Sequence, residues 1–168
     1  AGAFRSQNAG HDWRSVEIRE RIAIQAVATQ PDQPCVAYLG GFGPALVPDA
    51  GVGFVYRTVD CGSSWEEVSL ADPHHLGITV RALAADPYHT KTVYAGISQQ
   101  LSGTMTQVGG LYRSHNQGTS WEELDLGYPI SVVKTIVADP RVTDTLYLAT
   151  GEDAKNQGGG FPDDFPAG

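Results

Sequence analysis

The sequence predicts an all-β fold, namely a partial β-propeller built from four-stranded antiparallel blades. A segment that ends in tryptophan occurs three times, at Trp13, Trp65 and Trp121, with spacings of 52 and 56 residues. A second phrase, an apolar run that ends at a proline, recurs in step with it, and its prolines lie 56 and 53 residues apart. Two independent motifs with one period near fifty residues are typical of propellers and solenoids. The 20 glycines and 10 prolines suit a β protein rich in turns, and no segment shows convincing helical periodicity.

Each full repeat contains four short apolar runs, which predict four strands. The strands of the first full repeat are expected at Ile22–Thr29, Cys35–Gly40, Gly53–Thr58 and Ser64–Ser69. Those of the second are expected at Thr79–Ala85, Thr92–Ile97, Gly110–Ser114 and Ser120–Asp125.

Half-repeats flank the two full ones. Two outer strands are expected first, at Ala3–Ser6 and Asp12–Val16, and two inner strands last, at Ser131–Ala138 and Thr145–Thr150. The predicted domain organisation is therefore one propeller domain in five parts: an outer half-blade, two blades, an inner half-blade and a long loop or flexible tail, at 1–18, 19–70, 71–126, 127–150 and 151–168.

The segment around each tryptophan resembles the Asp-box, or BNR repeat, whose pattern is Ser/Thr-x-Asp-x-Gly-x-Ser/Thr-Trp. The second copy matches fully, with Thr58, Asp60, Gly62, Ser64 and Trp65. The third copy has Asn for Asp, with Ser114, Asn116, Gly118, Ser120 and Trp121. The first copy has Ser6, Asn8, Gly10 and Trp13, with Asp12 where Ser or Thr is usual.

This resemblance extends to the repeats of xyloglucan-active endoglucanases, sortilin-type receptors and secreted bacterial propellers. It implies that each box is a structural turn between the third and fourth strands of a blade. The Asp or Asn would accept backbone N–H bonds, and the Gly would take a positive φ. We expect the three tryptophans to occupy equivalent, largely buried places over the seam between strands or blades.

The two cysteines are expected to form a disulfide within one blade. Cys35 begins a second strand and Cys61 lies just past the end of the third, and antiparallel neighbours bring these two ends together. Such a bond fits an oxidising compartment and a secreted, periplasmic or cell-surface protein. The alternative is a pair of free, partly buried thiols in a cytosolic protein.

The charge balance bears on the class of partner. The net charge is −8, with only eleven Lys and Arg, so neither nucleic acid nor an anionic membrane surface is an expected partner. No apolar run reaches the 18 residues of a transmembrane helix. No metal or cofactor motif is present, since zinc-type Cys and His spacings are absent and the His74-His75 pair lacks an evident third ligand.

Binding is expected on the face that carries the long loops after the second strands. The fourth-strand loops share this face. Its candidate binding residues are Asp49, Asp72, His74, His75, Asp125, Tyr128 and Asp153. A glycosidase would need two carboxylates about 5 to 9.5 Å apart, and the sequence designates no such catalytic pair.

Two functions remain open. The first is an exported, non-catalytic propeller module for protein binding or assembly. The second is a portion of a glycoside hydrolase that acts on β-glucan or xyloglucan, with a polysaccharide as ligand. Open strand edges at both half-blades tend to pair. They would meet the remaining blades of a longer chain, a different protein, or a second copy in which Ser131–Thr150 lies beside Ala3–Val16.

Overall fold

The computed structural model describes residues 2–18, 21–44, 51–68, 70, 77–100 and 107–151. These residues form twelve β-strands and no helix. The first six strands are β1 (Phe4–Arg5), β2 (Arg14–Ser15), β3 (Ala23–Thr29), β4 (Ala37–Pro44), β5 (Gly51–Thr58) and β6 (Glu66–Glu67). The remaining six are β7 (Ile78–Ala85), β8 (Val93–Gln100), β9 (Gln107–Ser114), β10 (Glu122–Glu123), β11 (Val133–Ala138) and β12 (Leu146–Thr150).

The strands form four antiparallel sheets whose order follows the chain. Blade 1 is β1–β2, blade 2 is β3–β4–β5–β6, blade 3 is β7–β8–β9–β10, and blade 4 is β11–β12. The prediction of an all-β partial propeller, with a half-blade, two complete blades and a half-blade, is confirmed. No described helix is long and apolar enough to cross a membrane.

The inner strands of blades 2, 3 and 4 each carry a β-bulge at the same point of the repeat. The register shifts at Gln25 in β3, at Arg81 in β7 and at Lys134 in β11. A bulge bends its strand and increases the local twist. The same bend at three equivalent places indicates that one local geometry is repeated from blade to blade.

The fourth strands are shorter than the sequence predicts. Strands of six residues were expected at Ser64–Ser69 and Ser120–Asp125, whereas β6 and β10 each have two residues. The reason lies in the preceding turn, where the backbone N–H groups of Ser64 and Ser120 bind side-chain oxygens and not a neighbouring strand. Beyond β6, the Val68 N–H still donates to the Val55 carbonyl, so the pairing continues irregularly.

The apolar core lies at the three seams between successive blades. One cluster joins blades 1 and 2, a second joins blades 2 and 3, and a third joins blades 3 and 4. The largest holds Tyr38 and Val55 of blade 2 against Val80, Leu83 and their neighbours in blade 3. Each blade therefore buries its two faces only where another blade lies against them.

Glycines in the second strands of blades 2 and 3 permit successive blades to approach each other closely. A Cβ atom on Gly40 would lie 2.6 Å from Val80 Cγ1, and one on Gly96 in blade 3 would lie 2.3 Å from Val133 Cγ1. A side chain at either position would force the blades apart, because packed interiors have no spare volume.

The predicted disulfide is confirmed. Cys35 and Cys61 are bonded, and the Cys61 N–H also donates to the Cys35 carbonyl at 3.1 Å. The bond ties the turn before β4 to the turn after β5.

Removal of this disulfide should lower the stability of the chain. The cysteines are 26 residues apart, so the double change Cys35→Ser, Cys61→Ser should reduce the free energy of unfolding by about 3 kcal/mol. Urea unfolding would measure it. Dithiothreitol should lower the wild type to the same level and leave the double variant unchanged; an equal effect of the reductant on both proteins would contradict the assignment.

Candidate functional site

A groove of about 410 Å³ opens beside the outer half of blade 3. Its apolar floor consists of Leu111 on β9 and of Leu124, Leu126 and Ile130 after β10. Leu111 is buried, whereas the other three side chains are half-buried. The rim carries Glu123, Asp125 and Tyr128.

Two of the predicted binding residues meet at this groove. The Asp125 Oδ1 accepts the N–H of Gly127 at 2.7 Å, which closes a tight turn in which Gly127 has a φ of +76°. This turn presents Tyr128, whose side chain is 65% exposed. In such a groove the exposed aromatic ring can stack on an apolar surface, and the carboxylate can accept hydrogen bonds from a ligand.

The other predicted binding residues lie outside the described part of the chain. They are Asp49, Asp72, His74, His75 and Asp153. Within the described part, no group of three or more His, Cys, Asp and Glu residues is placed to hold a metal ion.

The floor of the groove corresponds to a surface that is covered in blade 2. By repeat position, Leu111, Leu124 and Leu126 match Val55, Val68 and Leu70. In blade 2 that surface packs against blade 3, whose Tyr112 and Trp121 join the same apolar cluster. The groove is thus the side of blade 3 on which a further outer half-blade would lie.

Three turns, each ending in a repeated tryptophan, share one hydrogen-bond pattern. We call residues 6–13, 58–65 and 114–121 the tryptophan turns. In each, a Ser or Thr hydroxyl oxygen accepts a Gly N–H at 2.8 Å, and the Asp or Asn Oδ1 accepts a later backbone N–H at 2.8 to 2.9 Å. The glycines Gly10, Gly62 and Gly118 have φ values of +86°, +79° and +89°.

The first tryptophan turn has Asp12 where the other two turns have Ser64 and Ser120. The Asn8 side-chain N–H donates to the Asp12 carboxylate at 2.7 Å. In the third turn the Asn116 side-chain N–H instead donates to the Ser120 hydroxyl at 2.8 Å. An amide in the Asp position therefore keeps the turn closed with either a carboxylate or a hydroxyl opposite it.

The third tryptophan turn reaches across the seam to blade 2. The Trp121 indole N–H donates to the Val68 carbonyl at 2.9 Å. The Arg57 guanidinium of blade 2 donates to the Gln117 carbonyl at 3.1 Å, and the Gln117 side chain donates to Gln33 at 3.0 Å. Sequence reasoning did not find these glutamine contacts, because neither residue belongs to the repeated pattern.

The prediction that all three tryptophans are largely buried is wrong for Trp13. Its side chain is 62% exposed, and its indole N–H donates only to Gly10 of its own turn, at 3.1 Å. Trp65 and Trp121 are half-buried. The physical reason is that each tryptophan packs on the blade before its own, and no described blade precedes blade 1.

Several described acids are held in place by hydrogen bonds. The hydroxyl and N–H of Ser64, together with the hydroxyl of Thr58, hold the pKa of Asp60 well below its usual range. Burial alone would raise the pKa of Asp86, yet hydrogen bonds from the backbone N–H groups of His89 and Tyr88 lower it. The hydrogen bond from Arg113 lowers the pKa of Glu122. All three carboxylates favour the charged form, which suits acceptors in turns and ion pairs.

The comparisons with known proteins bear on the fold. No family model matches the chain, and no curated protein matches it either. Among solved structures, a GH74 xyloglucanase from Xanthomonas campestris is similar, with a TM-score of 0.66 and 21% identity over 88% of this chain. The match covers 22% of the xyloglucanase chain. The similarity supports a propeller-like fold.

We predict that Asp60→Asn preserves the fold and removes one source of acid sensitivity. The folded-state pKa of Asp60 is lowered from an ordinary value of 3.8. Its contribution to stability is therefore complete above that value and is lost as the pH falls below it. Asn116 shows that an amide closes an equivalent turn.

The measurement is the urea midpoint of both proteins between neutral pH and about pH 3. The wild type should lose more of its midpoint than the Asn variant over this range. Parallel curves would contradict the assigned role of the carboxylate.

Proposed function

We propose that the chain is an exported, non-catalytic β-propeller module that acts by binding protein at the open sides of its blades. The observation that carries this proposal is the groove on blade 3. Its floor matches, position by position, the surface of blade 2 that is covered by blade 3. In blade 2 the matching surface packs against the outer strands of blade 3, with Tyr112 and Trp121. The groove therefore suits a partner of the same kind, namely a β-hairpin with aromatic side chains.

The tryptophan turns, the domain organisation and the location of the chain fit the same role. The tryptophan turns are taken as Asp-boxes, and the chain as one propeller domain with the five parts predicted from the sequence. Export is supported by the Cys35–Cys61 disulfide, since such bonds persist in oxidising compartments. The acidic net charge of −8 favours protein or neutral ligands over nucleic acid.

A hairpin peptide tests the groove directly. A fluorescently labelled peptide of residues 107–124 carries the third and fourth strands of a blade, with Tyr112 and Trp121. Titration of the full chain into this probe should give a saturable rise in fluorescence anisotropy. The matched control is the same peptide with Trp121→Ala, which should bind at least about tenfold more weakly because a buried aromatic anchor is removed.

Equal binding of the two peptides, or none of either, would overturn the proposed function. The substitution is made in the probe, so a loss of binding cannot come from unfolding of the receptor chain.

A second candidate function is a portion of a glycoside hydrolase acting on β-glucan or xyloglucan. It is favoured by the similarity to the GH74 xyloglucanase and by the groove rim, to which Glu123, Asp125 and the exposed Tyr128 all contribute. Release of reducing ends from xyloglucan, lost in Asp125→Asn, would favour this function. Because Tyr128 is outside the apolar floor, Tyr128→Ala should weaken glycan binding and leave hairpin binding unchanged.

A further inference from the structure

We infer that Arg5 and Arg14, on the two strands of blade 1, form a binding site for a carboxylate of an acidic segment in a protein partner. The inference rests on the proposed binding of protein and gives the chemistry of a second contact, on a different blade from the groove. It is carried by a comparison of one pair of facing positions in blades 1, 2 and 3.

An arginine and a glutamate face each other across the two outer strands of blades 2 and 3. Arg57 on β5 is opposite Glu66 on β6, and Arg113 on β9 is opposite Glu122 on β10. Both pairs are ion pairs. The Arg57 Nη2 bonds the Glu66 carboxylate, and the Arg113 Nε and Nη2 contact one Glu122 oxygen at 2.8 and 2.7 Å. In both complete blades this arginine therefore has a carboxylate opposite it.

Blade 1 has a second arginine in place of the glutamate. Arg5 on β1 is opposite Arg14 on β2, at the repeat positions of Arg57 and Glu66. Directly opposite residues of an antiparallel pair point to the same face, and like charges there are destabilising. Neither arginine has an ion-pair partner among the described residues. The described part of blade 1 thus places two positive charges on one face without a neutralising acid.

Arg5 is held in position by the next blade. A Cβ atom on Gly62, in the second tryptophan turn, would lie 3.3 Å from the Arg5 Nη1 and 3.5 Å from its Cδ. The Arg5 side chain therefore packs on that turn, much as Arg57 reaches the third turn by donating to the Gln117 carbonyl.

The contact with the second turn leaves the Arg5 charge uncompensated. The Arg5 Nη1 is buried and has no hydrogen-bond partner within the described structure. A partly buried guanidinium without an acceptor is destabilising, because it has lost water and gained no partner. A carboxylate bound to the same guanidinium would offset this loss, and a side chain that is already fixed loses little entropy on binding.

The site is accessible from the outer edge of the blade. The Arg14 side chain is exposed and that of Arg5 is half-buried. Strand β2 occupies the place of β6 and β10, each of which is the last strand of its four-stranded sheet. Because this edge is open in the complete blades as well, its accessibility follows from the blade itself and not from the number of blades.

The chemistry of the site favours a carboxylate. The planar fork of a guanidinium matches the two oxygens of a carboxylate, and two guanidinium groups can bind one such group from two sides. Glu66 and Glu122 show that the chain itself sets a glutamate on an extended strand against this arginine. A glutamate or aspartate on an extended segment of a partner would make the same contact in blade 1.

Charge would direct an acidic partner to blade 1. Trp65 and Trp121 are each followed by two glutamates on the outer strand. Trp13 is followed by Arg14 and Ser15. The chain carries a net charge of −8, so an acidic segment is repelled by most of its surface and by the outer edges of blades 2 and 3. Such repulsion elsewhere adds specificity to the attraction at blade 1.

The first test is the binding of an acidic peptide to the full chain. Fluorescein-labelled hexaglutamate should show a saturable rise in anisotropy at low salt, and labelled hexaglutamine should show none. Arg14→Glu should weaken the binding of hexaglutamate at least about tenfold, because it removes one guanidinium and adds a repelling carboxylate.

Arg141→Glu is the matched control for this charge reversal. Arg141 is exposed and lies in the turn between β11 and β12. The same change of net charge on a different blade should alter the affinity by less than about twofold, because salt screens distant surface charges.

The second test separates a loss of binding from a loss of folding. Arg14→Glu recreates in blade 1 the Arg–Glu pair of blades 2 and 3, so its urea midpoint should lie above that of the wild type. Arg14→Gln removes the repulsion without adding a partner, so its midpoint should lie between the two. Weaker binding by a more stable protein cannot come from unfolding.

Competition distinguishes a protein segment from a small free acid as the ligand. Unlabelled hexaglutamate should displace the labelled probe, whereas free glutamate at the same concentration of side-chain carboxylate should displace little of it. Equal displacement by the two would overturn the acidic segment as the ligand.

Three further results would overturn the inference. They are no binding of hexaglutamate to the wild type, an equal loss in Arg14→Glu and Arg141→Glu, and a urea midpoint of Arg14→Glu below that of the wild type. A chain that binds the labelled hairpin and not hexaglutamate would overturn this inference alone and leave the proposed function standing. A chain that binds hexaglutamate through Arg14 and not the hairpin would overturn only the groove as the binding surface, and one that binds neither would contradict both.

Discussion

Burial of each blade's faces by its neighbours is the constraint on which this molecule depends. Each four-stranded blade has apolar side chains on both of its faces, and no other part of the same blade covers them. The three apolar clusters of the described structure all lie between blades. The second strands can approach the next blade because Gly40 and Gly96 lack side chains there. The tryptophan turns of blades 2 and 3 lie at the outer part of the seam to the preceding blade, as Trp121 shows by donating to the Val68 carbonyl.

The same constraint accounts for what the sequence could and could not predict. Periodic residues such as Trp65 and Trp121 set the number and order of strands, and the antiparallel neighbours around Cys35 and Cys61 predicted the disulfide. Burial of Trp13 was predicted wrongly, because a repeat shows that positions are equivalent and not whether a neighbouring blade covers them. Strand length was overestimated at Ser64, whose backbone N–H serves the turn and not the sheet.

The candidate site, too, was predicted from the sequence only in part. Asp125 and Tyr128 were predicted from their place in a fourth-strand loop, and both line the groove. The apolar floor beneath them was not predicted. The signal was present, since Leu111, Leu124 and Leu126 repeat the pattern of Val55, Val68 and Leu70. Only the structure shows that Tyr112 and Trp121 of blade 3 pack with the first set, whereas the second set lines a groove.

Hydrogen exchange of a single proton reports on how tightly the seam between blades 2 and 3 is closed. The Trp121 indole N–H bonds to the Val68 carbonyl across blades 2 and 3, so it should exchange with solvent only when the blades separate. Nuclear magnetic resonance of the full chain in D₂O should show slow exchange for this proton, with a rate that rises with urea in step with unfolding. Exchange at the rate of a free indole in the folded chain would contradict the claim that the tryptophan turn of blade 3 closes the seam to blade 2.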